Sequence, residues 1–133
     1  MMSVDFNVSF VIVTNGQRDG LLHTIIESIK YQNIPNYEIV IVGFSQINKT
    51  LYPEVNYIEC KDLAEAGLLG AMRNLACSNA KYENIVISDD DMILSSNWYE
   101  ELKKSEEFKI LTTQVRNTKK IKTICICQEV NLG

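Results

Sequence analysis

A chain of 133 residues with a formal net charge of −4 is one domain's worth of polypeptide, long enough for a real core and too short for two. Its 46% hydrophobic and 23% charged content is that of an ordinary globular domain, and the acidic balance argues against a nucleic-acid partner, whose phosphates need clustered Lys and Arg. No run is apolar for long enough to span a bilayer, and the first apolar run is preceded by Asp5 rather than by the basic residues of a signal peptide.

Residues 8–14, VSFVIVT, are almost continuously apolar and β-branched, the pattern of a strand buried on both faces. A loop over 15–20 follows, with Asp19 placed to cap a helix. Leu21, Leu22, Ile25, Ile26 and Ile29 then recur at helical spacing, and Pro35 closes that segment. Residues 38–42, EIVIV, are a second buried strand. A polar loop through Asn48, Lys49 and Thr50 leads to a short strand near 55–60. The pattern over 63–79 predicts one helix, with Leu68, Ala71, Met72, Leu75 and Ala76 on one face. A third strand, 85–88, runs into Asp89, Asp90 and Asp91. Asn97 and Glu100 form a capping box for a helix over 98–104. Two further strands, about 109–115 and 121–127, flank the turn containing Lys119 and Lys120.

Strands alternating with helices predict an α/β fold with a mostly parallel sheet. In such sheets ligands gather beyond the carboxyl ends of the strands. That edge carries both the loop after the first strand and the acidic triplet. Cys60, Cys77, Cys125 and Cys127 fit no zinc spacing, and His23 is the single histidine. The thiols read as reduced core residues of a cytoplasmic protein, and His23 as structural.

Three adjacent carboxylates after an apolar run need either open water or a positive partner. One reading is a solvated loop. The other is a divalent-cation site, since Mg²⁺ or Mn²⁺ prefers hard oxygens and is commonly held by one or two carboxylates plus substrate phosphates. If the strand continued, Asp89 and Asp91 would share a side and Asp90 would be spare. A dehalogenase-type phosphatase and a response-regulator receiver both want acids after the first strand, where Thr14 and Asn15 stand. No P-loop or Gly-x-Gly-x-x-Gly stretch occurs.

The pieces VSFVIVTNGQRDGLLHTIIESIKYQ, EIVIV and AGLLGAMRNLACSNAKYENIVISDDDMIL, in this order and spacing, resemble the family 2 glycosyltransferases over roughly residues 8–104. The resemblance implies a GT-A, Rossmann-like sheet flanked by helices. It also implies an inverting, metal-assisted transfer of a sugar from a nucleoside-diphosphate sugar to a saccharide or other hydroxyl acceptor. Carried over by position, the implied contacts to the nucleotide-sugar donor are Thr14, Asn15, Arg18, Arg73, Asp89 and Asp90. Asp91 is the implied ligand of Mn²⁺ or Mg²⁺.

Two departures stand out. Gly43-Phe44-Ser45 follows the second strand where the family carries an acid that reads the base, with the Phe44 ring offering stacking instead. The acceptor-binding half, which supplies the general base, is missing or minimal in a single domain over 1–133, and Glu129 does not fit that role. The general base is therefore not identified. The alternative reading is a non-catalytic nucleotide-sugar-binding module that works through a partner chain or as a homo-oligomer; a purely structural α/β domain is a third.

Overall fold

The computed structural model describes residues 7–104 and, for their backbone course only, two strands between 111 and 129. The order is β1 (Asn7–Thr14), α1 (Asp19–Tyr31), β2 (Asn36–Gly43), β3 (Asn56–Glu59), α2 (Lys61–Glu65), α3 (Leu69–Ser78), β4 (Asn84–Asp89), β5 (Met92–Leu94), α4 (Trp98–Lys104), β6 (Leu111–Thr118) and β7 (Ile121–Glu129). β1 to β4 form a parallel sheet in the order β3-β2-β1-β4. β5, β7 and β6 form a second sheet, in which β6 and β7 are the expected antiparallel pair. Lys119 and Lys120, the predicted turn, lie outside the described residues, as do the side chains of Cys125, Cys127 and Glu129.

Alternation along β1 sorts its side chains onto two faces. Val8, Phe10 and Ile12 pack with Leu22, Ile25, Ile26 and Ile29 of α1 and with Trp98, Tyr99 and Leu102 of α4. Val11 and Val13 pack with Val40, Val42, Ala64, Met72 and Ala76 under α2 and α3. Burying an aliphatic side chain of this size contributes about 1.5–3 kcal/mol, which is why a both-faces-apolar strand ends up in the middle of a sheet.

Three expectations are corrected. The predicted helix over 63–79 is two helices, broken at Gly67, whose φ of +68° is left-handed and ends the first one. Leu68 and Ala71 are consequently exposed, while Met72 and Ala76 are buried as expected. β4, whose apolar run reads as a buried strand, is not buried. It is the edge of the parallel sheet, with Ile87 51% exposed. Asp19 does not cap α1; Arg18 holds the cap position and its side chain makes no capping bond.

Ser28 and Gln32 tie the second half of the described chain to the first. Ser28 Oγ accepts from Leu94 N at 3.0 Å, Gln32 Nε2 donates to Ser95 O at 2.8 Å, and Gln32 Oε1 accepts from Tyr99 N at 2.9 Å. These bonds carry the chain beyond β4 back onto α1. His23 Nδ1 lies 3.1 Å from the Tyr52 hydroxyl.

Candidate functional site

β2 and β3 lie on one side of β1 and β4 on the other, so the strand order reverses between β1 and β4. The crevice at such a reversal is where open α/β sheets bind ligands. Val13 is in register with Asp89, and Thr14 with Gly43. A cleft of ≈ 310 Å³ opens there, lined among others by Thr14, Asn15, Arg18, Arg73, Asp89 and Asp90. Six of the seven candidate residues thus share one cleft.

The three aspartates separate because β4 stops at Asp89 and the chain turns over 90–91. Strand alternation therefore does not extend to Asp91, and Asp90 is not spare. Its Oδ2 accepts from Thr14 Oγ1 at 2.8 Å, and its Oδ1 faces Arg18 Nη1 at 3.1 Å. Thr14 Oγ1 in turn accepts from Gly16 N at 3.2 Å, so one hydroxyl fixes both the acidic turn and the first loop. Asp89 Oδ1 pairs with Arg73 Nη2 at 3.1 Å in a more open position. Asp91 does not line the cleft; its Oδ2 lies 4.0 Å from Arg18 Nη1, and its side chain is 12% exposed. Hydrogen bonding to Asp90 and attraction by it push the Arg18 guanidinium still further up from its already high value.

The first loop is shaped by its own backbone. Asn15 Oδ1 accepts from Gln17 N at 3.1 Å, closing a turn rather than reaching across the cleft. Gly16 has φ +86°, and a Cβ there would sit 2.9 Å from Phe44 O. The Phe44 ring is packed against Gly16 and carries Lys61 Nζ 5.1 Å from its centroid. It is not among the residues lining the cleft.

One residue was missed by sequence reasoning. Asp19, expected to cap a helix, accepts from Ser45 Oγ at 2.7 Å and from Gln46 N at 2.9 Å. It brings a carboxylate to the loop after β2, the place where the sequence itself has none. No local signal could reveal this, because residues 19 and 45 meet only through the β1–β2 pairing. Nearby, burial pushes the Cys60 thiol up, against a smaller lowering by its bond with the Gly43 backbone, so Cys60 is a poor nucleophile.

Among the described residues, no three His, Cys, Asp or Glu side chains converge as a ready metal cage. Asp90 and Asp91 nevertheless offer hard oxygens on consecutive residues. Such a donor set fits a Mg²⁺-like ion that takes its remaining ligands from water and substrate. No helix of the described residues is long and apolar enough to cross a membrane.

No protein-family model matches the chain, and no curated protein matches its sequence. Among solved structures it is similar to TarS 1–349 of S. aureus, with a TM-score of 0.55 and 19% identity over 69% of this chain and 29% of that one. The chain thus spans less than a third of that neighbour. At this identity the likeness bears on architecture alone: an α/β fold of the GT-A/Rossmann-like type, with a four-stranded parallel sheet flanked by helices.

Proposed function

We propose that this chain is the donor-binding part of a family 2-like, inverting glycosyltransferase. The observation that carries the reading is the cleft at the β1/β4 switch point, where two arginines and two carboxylates meet around Thr14. Arginine forks match diphosphate oxygens, and carboxylates such as Asp89 accept from ribose or sugar hydroxyls. Asp91, with Asp90 beside it, would hold Mn²⁺ or Mg²⁺. A bound ion of this kind supplies charge neutralisation to the departing nucleoside diphosphate. The acceptor hydroxyl must lose its proton as it attacks the anomeric carbon. The carboxylates lining the cleft, Asp89 and Asp90, are both paired with arginines, so neither is placed to take that proton.

The second reading is a nucleotide-sugar-binding module without turnover. It is favoured by the arginine pairing of both carboxylates that line the cleft, which leaves neither of them placed as a general base. Calorimetric titration with UDP and with GDP, each with and without Mn²⁺, tests the common core of both readings. Metal-dependent binding that Asp91→Ala abolishes is expected; no binding of either nucleotide under any condition overturns both. Donor hydrolysis in the presence of simple acceptors then separates enzyme from module.

A further inference from the structure

The acidic turn poses a charge problem that the two arginines answer unequally. The Arg73–Asp89 pair is open to water, with side chains 39% and 36% exposed, where exchange with solvent ions costs little. Asp90 and Asp91 are both buried, on consecutive residues, and both approach the same nitrogen of Arg18, at 3.1 and 4.0 Å. Neighbouring carboxylates repel each other, and a cation placed close to both offsets that repulsion. Arg18 is that cation, yet its own side chain is 53% exposed and stands on a loop rather than within a helix or strand. Asp90 is anchored independently by Thr14, so the turn does not need the guanidinium to keep its shape.

We infer that Arg18 is an exchangeable counter-ion and a positioning residue for the donor. With the cleft empty it neutralises Asp90 and Asp91. With a nucleoside diphosphate present, its guanidinium transfers to the phosphate oxygens and leaves the two carboxylates to a divalent cation. This rests on the donor-binding reading above and adds a coupling to it. In the absence of nucleotide, Arg18 and the cation compete for the same oxygens. In its presence they act together, each on a different set of oxygens. Because coupling is reciprocal, the cation strengthens nucleotide binding by the same factor as the nucleotide strengthens cation binding.

The test is Mn²⁺ titration of the full chain, followed by calorimetry and by the spin-resonance signal of free Mn²⁺, for the native protein, Arg18→Gln and Arg18→Lys, with and without UDP or GDP. Without nucleotide, Arg18→Gln is expected to bind Mn²⁺ about tenfold more tightly than the native chain, the like charge having been removed, while Arg18→Lys stays near native. With nucleotide the gain disappears, and Arg18→Gln binds the nucleotide more weakly. Equal Mn²⁺ affinity of Arg18→Gln and the native chain, with nucleotide still bound by the latter, overturns the exchange and leaves the donor reading standing. A native chain that takes neither UDP nor GDP overturns the donor reading and the exchange with it. Thermal unfolding confirms that each variant is folded, and the lysine variant carries the comparison of charge against fork geometry separately.

Discussion

Thr14 and Arg73 show how differently two polar residues of one cleft are tied to the fold. Thr14 is buried and its hydroxyl donates to a buried carboxylate while accepting from Gly16 N. Removing a hydrogen bond to a buried charge costs about 1.5–3 kcal/mol. Thr14→Val should therefore lower unfolding free energy in urea by about 2 kcal/mol. Arg73 makes a partly exposed ion pair, worth at most about 1 kcal/mol. Arg73→Ala should leave the urea midpoint almost unchanged while weakening UDP or GDP binding about tenfold, the value of one phosphate contact. A large stability loss in that variant would mean that the pair is structural.

Tyr52 gives a pH signature at the same scale. Burial, and then a hydrogen bond to Glu27, push its hydroxyl from 10.0 up to about 12. The folded state thus keeps a proton that the unfolded chain releases near 10. This contribution to stability is complete below pH 10 and is lost as pH rises from there towards 12. Stability measured by urea unfolding across that window should fall less steeply in Tyr52→Phe than in the native chain; parallel curves would count against the assignment.

At the scale of elements, the site depends on where strands stop. β2 ends at Gly43, whose φ is +133° and where an added Cβ would lie 1.9 Å from Thr14 O. The backbone of β2 therefore approaches β1 as only glycine permits, just beside the hydroxyl that holds Asp90. Gly43→Ala should cost about 3 kcal/mol in strain and displacement and should weaken nucleotide binding together with stability, read by thermal unfolding and titration. β4 likewise ends at Asp89, and the turn that follows lets Asp90 and Asp91 approach Arg18 while Asp89 goes to Arg73. Ser28 and Gln32 hold β5 and α4 against α1.

For the molecule as a whole, the two-layered core and the open β4 edge make opposite predictions for similar residues. Ile12 is fully buried between β1 and α1, whereas Ile87 is half exposed on the edge strand. Ile12→Ala should destabilise by about 2–5 kcal/mol. Ile87→Lys should shift the urea midpoint little and should suppress association through the sheet edge, where a charge blocks strand pairing. Size-exclusion chromatography of native chain and variant at several concentrations reads the second effect.

Hydrophobic patterning was enough to locate β1, α1 and β2, because each buries a face whose spacing is written in consecutive residues; short apolar runs marked β3 and β4, and a capping box marked α4. It also placed Thr14 and the acidic triplet on one edge, since parallel strands share an end. What patterning could not decide was pairing between residues far apart in the chain. The division of the aspartates between Arg18 and Arg73, the bracing of Ser45 by Asp19, the break at Gly67 and the exposure of β4 all follow from which strand lies beside which and where each stops. Those are properties of non-local contacts and of backbone geometry at a few turns, and they exist only once the sheet has formed.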